Sequence, residues 1–574
     1  MVSGQLASVV RWLGLFVLVG AWCLPGHYPP WPSIQHEIAI GVVFFFLCIA
    51  AWGVPNGDVG AYWPAPARWM LVLSIVPLVQ FLAGQLFYLT DAVVPALYIA
   101  GFALAIVLGR NMAALGPSGE QWVVRFMTAI LFAAVISVVL ALFQWQGASN
   151  LWLVDLAVGG RPYANLAQPN HLATLMILGS VGIWLNWKNE AISDGFALFL
   201  TIWLILGLAL TQSRTGWLAF MILLALANAH GRRYGGLVNK CKVGFVWVFL
   251  AITNVAVAWL WILINQWLDV SLAKQLQGRF SMGTRLGLWD GLFDAVTRAP
   301  WMGWGWGQVS VAQHAIALER NAGNEMVEYS HNLVIDFCLW MGVPSAVFWA
   351  LLASVWVFRR AGNCRTPLSW AMMAALIGIF VHAFTEYPLA YLYFLWPAGF
   401  LIGVMDFQCR GGPDVGGVNF FFMNDLTVTR AVFFVLVSLS GWFVFEYYQV
   451  ENFDRYARMR TARIGDADDS MLTFPDVFLL DRLVAYQKFR LTPARVGMTS
   501  GEIDEMRRVA YRHPYPPALL RLALATGLNG LPSEARNELQ ALCRLQIPAQ
   551  CDDARKSWQL AQEKYPVLRS VPGP

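Results

Sequence analysis

Long apolar runs, separated by short polar segments, recur from the N-terminus to about residue 448. Each run holds about 17 to 22 residues, enough for one helix to cross a hydrocarbon core roughly 30 Å thick. The pattern predicts an all-α membrane protein with about thirteen transmembrane helices. Their approximate bounds are 7–24, 37–53, 68–84, 92–109, 123–142, 171–186, 195–211, 215–229, 243–264, 331–357, 366–384, 391–406 and 430–448.

Basic residues in the short loops indicate the orientation of these helices. Because Lys and Arg are retained on the cytoplasmic side, a cytoplasmic N-terminus accounts best for their distribution. We therefore expect the remaining loops to face the other side, which we interpret as the periplasm. These loops are 25–36, 85–91, 143–170, 211–214, 265–330 and 385–390.

The composition changes after about residue 449, where Arg, Asp and Glu occur throughout and no further spanning run follows. The sequence therefore predicts two domains. The first, 1–448, is a transmembrane domain that includes a large periplasmic loop, 265–330. The second, 449–574, is a soluble helical domain on the periplasmic side.

Within the predicted soluble domain, the stretch 516–545 predicts two amphipathic helices joined at a Gly and Asn turn. The pair is compatible with one tetratricopeptide-style hairpin or with an unrelated helical pair. Cys543 and Cys551 in the same domain could form a disulfide if the domain lies outside the cytoplasm.

The composition excludes several classes of function. With 58% hydrophobic and only 13% charged residues, the 574-residue chain is too apolar for a soluble protein of its size. The formal net charge of +5 is slight and scattered, so it indicates no nucleic-acid partner. No Cys pair or carboxylate cluster has the spacing of a metal site, and Asp290 and Asp294 are better interpreted as solvated or Arg-paired. We expect neither a metal nor a cofactor.

Several basic residues lie on the predicted outer face against the positive-inside bias, and four arginines stand out among them: Arg161, Arg214, Arg279 and Arg285. Lys274, Arg298 and Arg320 share the long loop with less to distinguish them. Arg214 is the most informative, because TQSRTG interrupts two apolar runs so briefly that its side chain must lie close to the membrane boundary. Each arginine alone could extend to lipid phosphates or pair with a local acid. Several together favour a bound anion, since guanidinium groups match phosphate oxygens in a bidentate manner.

A second polar group precedes the predicted spanning helix near residue 171. The segment RPYANLAQPNH ends with Gln168, Asn170 and His171 at the start of that helix. Free backbone N–H groups and the helix dipole favour an anion at such a position. The alternative is that Pro169 and Asn170 simply start and cap the helix.

A third group, EYSHNLVID, lies at the start of a long apolar run. Glu328 and His331 are three residues apart and could share a helix face, so that the carboxylate orients the imidazole and raises its basicity. A lone histidine at the membrane boundary is more often structural. Its position after a long polar loop that contains the glycine-rich GWGWG, 303–307, favours a functional role.

The fourth group, HAFTEYPLAY, places Glu386 and Tyr387 in a very short predicted outer turn. Pro388 alone would justify that turn structurally.

Taken together, these segments resemble the O-antigen ligase superfamily of membrane glycosyltransferases, and more narrowly the PglL-type bacterial protein O-oligosaccharyltransferases. The narrower resemblance rests on HYPPWPSIQHE, PLVQFLAGQLFYLTDA, RPYANLAQPNH, EYSHNLVIDFCLWMGVP and HAFTEYPLAYLYF, which occur in the family's order along nearly the whole chain. A soluble helical tail completes the series.

The resemblance implies a GT-C-like helical fold in the bacterial inner membrane. It also implies transfer of a glycan from an undecaprenyl pyrophosphate carrier to Ser or Thr of an acceptor protein, often a pilin, at the periplasmic face. The family's required histidine falls on His331, its functional glutamine on Gln168 and its functional tyrosine on Tyr387. For the pyrophosphate, Arg214 and Arg285 match best, followed by Arg161 and Arg279. Further candidates are Glu328, Asn170, His171, Asn332, Glu386 and His27.

These assignments lead us to expect an inverting, metal-independent displacement at one cavity where the arginines meet the imidazole of His331. Within the superfamily, a lipopolysaccharide O-antigen ligase or an O-antigen polymerase is the alternative. A polytopic transporter or flippase, or a membrane scaffold, is the alternative from another class. The apolar middle of most runs and the absence of an obvious internal repeat argue against a transporter.

Overall fold

The computed structural model describes residues 2–53, 61–156, 160–166, 168–234, 283–319, 326–410, 426–464 and 473–574. All regular elements in these ranges are helical, which confirms the all-α prediction for this part of the chain.

The helices of the first half of the chain are α1 (Val2–Ala21), α2 (Ile34–Cys48), α3 (Ala65–Leu73), α4 (Val76–Leu82), α5 (Leu89–Ala113), α6 (Pro117–Trp145), α7 (Pro169–Lys188), α8 (Asp194–Thr211) and α9 (Arg214–Tyr234). A π-helical turn, Ile49–Gly53, follows α2. The helices of the second half are α10 (Gly283–Arg298), α11 (Val309–Ile316), α12 (Leu333–Met341), α13 (Val343–Ala361), α14 (Pro367–Ala383), α15 (Leu392–Gln408), α16 (Leu426–Thr461), α17 (Asp481–Leu491), α18 (Ser500–Arg512), α19 (Pro516–Leu528), α20 (Pro532–Leu545) and α21 (Pro548–Lys564). Short 3₁₀ turns form at Pro388–Ala390 and Pro566–Ser570.

Local sequence signals explain where several of these helices start. Proline occupies the first turn of α6, α7 and α14, where its missing N–H costs no helical hydrogen bond. Thr366 and Ser369 form a capping box at the start of α14, and Thr499 and Glu502 form another at the start of α18.

Several predicted helices differ from the observed ones. The predicted helix 331–357 is two helices, α12 and α13, because Gly342 between them has a left-handed φ of +81° and a Cβ there would overlap the Trp301 backbone. The predicted helix 68–84 is likewise divided into α3 and α4, just before Pro77. The predicted helix 430–448 extends to Thr461, and 243–264 lies outside the described residues.

Six helical segments in the described part of the chain are long and apolar enough to cross a membrane: Ile34–Trp52, which combines α2 and the π-helical turn, Ala65–Leu82, which combines α3 and α4, Leu89–Ala113, Pro117–Trp145, Asp194–Thr211 and Leu426–Thr461. Shorter apolar helices of 10–17 residues accompany them, among them Pro367–Ala383 and Leu392–Gln408. The chain is therefore a helical protein with several candidate membrane spans, while the number of about thirteen stays a prediction.

The chain divides into two compact units. The first unit comprises Met1–Leu73, Tyr98–Phe280 and Ala353–Leu439, and the second comprises Ser74–Leu97, Ser281–Leu352 and Ser440–Pro574. The predicted domain boundary at 448 and 449 falls within α16, and the assignment of 1–448 and 449–574 as two domains stays a prediction.

Small residues permit close helix packing in the first unit. A Cβ on Gly109 in α5 would overlap the backbone oxygen of Phe400 in α15, and one on Gly403 would overlap the backbone oxygen of Ile106. Such close backbone approach between helices is typical of membrane proteins, where van der Waals contact drives association. In the same unit, α6 packs on α7, and α7 on α14.

The second unit joins the C-terminal helices to the loop helix α11 and to residues before α5. One apolar core contains Tyr88, Ala317 and side chains of α18, α19 and α20. Helices α19 and α20 pack as a hairpin through Asn529 and Gly530, which confirms the predicted helical pair. Cys543 and Cys551 form a disulfide, with their Cα atoms 4.8 Å apart.

Candidate active site

Four polar side chains of the first unit form a cluster, which we call the amide cluster: Gln168, Asn170, Ser213 and Glu386. Asn170, Ser213 and Glu386 are buried, and Gln168 is half-buried. The Asn170 amide donates to Glu386 Oε1 over 3.0 Å, and Ser213 Oγ donates to Asn170 Oδ1 over 2.7 Å. Gln168 Nε2 lies 3.5 Å from Glu386 Oε2. The structure thus brings together the second and fourth groups of the sequence, which lie more than 200 residues apart.

Each member of the amide cluster sits at the end of a helix. Gln168 is the N-cap residue of α7 and Asn170 follows Pro169 in its first turn. Ser213 lies between α8 and α9, where Gln212 adopts a left-handed φ of +49°. Glu386 follows α14, and its backbone N–H donates to the His382 carbonyl oxygen over 2.8 Å.

The side chain of Gln168 does not cap α7, although the residue occupies the N-cap position. Its Oε1 atom is buried and has no hydrogen-bond partner among the described residues. A buried acceptor without a partner costs about 1–3 kcal/mol, so it is a candidate contact for a ligand.

Two of the predicted anion-binding arginines lie near this cluster along the chain. Arg161 Nη1 donates to the Gln212 carbonyl oxygen over 3.3 Å. Arg214 directly follows Ser213 and is exposed at the start of α9. The structure therefore places the Arg161 guanidinium beside the turn that carries Arg214.

His171 belongs to an aromatic group rather than to the amide cluster. Its Nδ1 pairs with Tyr393 Oη at 2.8 Å, and its ring lies 4.6 Å from that of Tyr391 and 5.6 Å from that of His382. Thr174 Oγ1 in turn pairs with His382 Nδ1 at 2.6 Å. Sequence reasoning gave no role to Thr174 or Tyr393, and the only signal for them was a polar side chain inside an apolar run.

His27 contacts a different part of the first unit. Its Nε2 lies 2.6 Å from the Asn165 carbonyl oxygen and 3.1 Å from His36 Nε2. Burial lowers the pKa of His27, while the Asn165 carbonyl opposes that shift. The Asn165 amide also donates to the Cys23 carbonyl oxygen over 2.7 Å, so these contacts fasten the loop before α2 to the RPYANLAQPNH segment.

Tyr387 directly follows Glu386 and precedes the 3₁₀ turn Pro388–Ala390. Its ring stacks at 6.1 Å on that of Tyr391. Tyr387 thus lies in the same short turn as Glu386 of the amide cluster, where the sequence predicted both residues.

The EYSHN segment belongs to the second unit. His331 has a left-handed φ of +58°, an uncommon and strained conformation for a residue with a side chain. Neighbouring hydrogen bonds hold it there: the Ser330 N–H donates to Asp336 Oδ1 over 2.8 Å, and Asn332 Oδ1 accepts from the Val334 N–H over 3.0 Å to cap α12. Asn332 therefore has a structural task at this helix start.

Glu328 contacts the C-terminal helices, which the sequence did not predict. Its Oε1 accepts from Tyr515 Oη over 3.1 Å and lies 4.0 Å from His513 Nδ1. Burial and the nearby Arg512 lower the pKa of His513 well below its usual range. The proposed orientation of His331 by Glu328 stays a prediction.

The other predicted arginines lie in or near the large loop. Arg285 is a residue of α10, while Arg279 lies outside the described residues. Among the residues that the structure describes, no group of three or more His, Cys, Asp or Glu could hold a metal ion.

Comparison with known families extends these observations. Residues 199–350 match the O-antigen ligase family, and residues 162–185 match the protein glycosylation ligase family. Residues 370–557 match the C-terminal part of a virulence-factor membrane-bound polymerase family.

Two relatives from Acinetobacter baylyi match longer parts of the chain. A general O-oligosaccharyltransferase is 25% identical over 564 residues, which are 94% of this chain and 94% of the relative. A ComP-specific O-oligosaccharyltransferase is 26% identical over 348 residues, which are 60% of this chain and 62% of the relative. These matches confirm the resemblance of the chain to the O-antigen ligase superfamily and, within it, to the PglL-type protein O-oligosaccharyltransferases.

Proposed function

We propose that this protein is an O-linked protein oligosaccharyltransferase, which transfers a glycan from a lipid-linked donor to hydroxyl groups of acceptor proteins. The observation that carries the proposal is the match to a general O-oligosaccharyltransferase over 94% of both chains. The amide cluster supports it, because hydrogen-bonding groups at the ends of membrane helices suit a hydroxyl-rich ligand.

We further propose that the donor carrier is undecaprenyl pyrophosphate and that the acceptor is a pilin or another periplasmic protein. The arginines at 161, 214, 279 and 285 would hold the diphosphate and stabilise the negative charge that grows as the bond from the sugar C1 to the leaving oxygen breaks. His331 would accept the proton of the incoming hydroxyl, and direct displacement would invert the anomeric centre. Gln168 would orient donor or acceptor by a hydrogen bond.

The proposed location is the bacterial inner membrane, with about thirteen spans, a cytoplasmic N-terminus and a periplasmic C-terminal domain. The Cys543–Cys551 disulfide supports a periplasmic C-terminal domain, since disulfides persist in oxidising compartments. We also propose that the α19–α20 hairpin is a tetratricopeptide-type repeat.

The test is co-expression of the protein with a lipid-linked glycan pathway and a candidate pilin, followed by mass spectrometry of the pilin. Glycan on Ser or Thr of the pilin is the expected result. An unmodified pilin with glycan on the lipid A core would instead identify an O-antigen ligase, and longer carrier-linked chains would identify a polymerase.

A further inference from the structure

The hydrogen bonds of the amide cluster have one direction. The Gly216 N–H donates to Ser213 Oγ over 3.0 Å, the Ser213 hydroxyl donates to Asn170 Oδ1, and the Asn170 amide donates to Glu386. Each group accepts on one side and donates on the other, and the series ends at the carboxylate. An ionised carboxylate only accepts hydrogen bonds, so it fixes the direction of the whole series.

Glu386 also fixes the orientation of the Gln168 amide. An amide facing a carboxylate at 3.5 Å must present its N–H, since its carbonyl oxygen would be repelled. The opposite end of the amide, Oε1, is then directed away from Glu386, and it is this atom that is buried without a partner among the described residues. Glu386 is only 3% exposed, so water competes little for the hydrogen bonds to its carboxyl oxygens.

Resting on the proposed function, we propose that Glu386 is a positioning residue that holds the Gln168 amide so that Oε1 accepts a hydrogen bond from a hydroxyl group of the substrate. The hydroxyl belongs either to the sugar of the lipid-linked donor or to the Ser or Thr of the acceptor. Glu386 therefore acts on transfer through Gln168 and does not itself take the proton. Asn170 anchors the carboxylate from its other side, while its own Oδ1 accepts from Ser213.

The test is a double-mutant cycle with Glu386→Gln and Gln168→Ala, measured as kcat and KM for transfer by the detergent-solubilised full-length protein. In Glu386→Gln the Gln168 amide can flip, because the new side chain can both donate and accept. We expect each single variant to lower kcat/KM about 5- to 10-fold, the value of one hydrogen bond. The double variant should fall no further than Gln168→Ala, within about 2-fold.

A matched control is Glu120→Gln. Glu120 Oε1 also accepts from a glutamine amide, Gln408 Nε2, over 2.8 Å, but this pair is exposed and outside the amide cluster. Its activity should equal that of the wild type. If Glu386→Gln cannot be isolated from membranes, the cycle is run with Glu386→Asp, whose shorter side chain withdraws the carboxyl group from Gln168. The double variant with Gln168→Ala should again fall no further than Gln168→Ala alone, within about 2-fold.

The outcomes separate the possibilities. If kcat/KM of the double variant falls by the product of the two single effects, Glu386 acts independently of Gln168 and the inference is overturned. Loss of the acidic limb of the pH profile in Glu386→Gln would also overturn it, because Glu386 would then act as a base. A rise in KM for donor in Gln168→Ala assigns the hydroxyl to the sugar, and a rise in KM for acceptor assigns it to the protein. A wild-type protein that transfers no glycan refutes the proposed function and this inference with it.

Discussion

A buried ion pair in the second unit allows a quantitative prediction. Asp91 and Arg512 are almost completely buried, with side-chain exposures of 1% and 7%. Arg512 contacts both carboxylate oxygens at 3.1 Å, and Arg482 Nη1 approaches Asp91 Oδ1 at 2.5 Å. The pair therefore fastens the C-terminal helices to the start of α5.

Substitution of Asp91 by Asn should destabilise the C-terminal helices by about 3–5 kcal/mol. The cost arises because the Arg512 charge stays buried after its partner is lost. The free-energy cost of an unpaired buried charge exceeds the net stabilisation that the ion pair provides. Hydrogen exchange on the detergent-solubilised protein measures this local opening. Amides of α18 and α19 should exchange roughly 10²- to 10³-fold faster or more, since each 1.4 kcal/mol is about tenfold.

Asp454→Asn provides the matched control in the same unit. Asp454 is also buried, but its partners Arg490 and Arg458 are 37% and 41% exposed, so both guanidinium groups stay hydrated when the carboxylate is lost. We expect a change of about 1 kcal/mol or less there. Equal acceleration of exchange in the two variants would refute the reasoning from burial.

Three further predictions concern the disulfide, the histidine and metal dependence. Replacing Cys543 and Cys551 by Ser should destabilise α20 and α21 by roughly 2–3 kcal/mol. In the wild-type protein, neither Cys543 nor Cys551 should react with a thiol reagent in unreduced membranes, and labelling of both would contradict a periplasmic domain. His331→Ala should lower transfer by about 10²–10⁴ with membrane insertion intact, and His331→Asn, which tolerates the left-handed backbone, should lose as much if the imidazole is what matters. Transfer should survive EDTA, and a loss restored by a divalent ion would count against a metal-independent reaction.

The sequence predicted the helices well where proline and apolar periodicity agree. The predicted helix 171–186 corresponds to α7, Pro169–Lys188, since Pro169 marks its start. The sequence-based prediction of one helix, 331–357, was wrong at Gly342, because an apolar run that continues through a glycine has the composition of one helix. Only the left-handed φ and the contact with the Trp301 backbone, which depend on tertiary packing, show the break.

The candidate site was predicted in part. Gln168, Asn170 and Glu386 were recognised as polar groups near the membrane boundary, but no spacing rule predicts that a carboxylate 216 residues away in sequence accepts from Asn170. That contact results from the packing of α7 on α14. Ser213 was missed for the same reason, since a serine beside an arginine carries no signal until the Asn170 amide is placed against it.

The contacts of the second unit also decide how the role of the C-terminal helices should be studied. Tyr515 donates to Glu328 of the EYSHN segment, and Arg512 neutralises Asp91, so these helices pack on other parts of the second unit. Removal of the helices would leave Asp91 with neither of its arginines and would expose the apolar core around Tyr88. A truncated protein that lost activity would therefore report instability as readily as loss of acceptor binding. Recruitment of acceptor proteins is better tested by substitutions of exposed side chains that take no part in these contacts, such as Leu560 on α21.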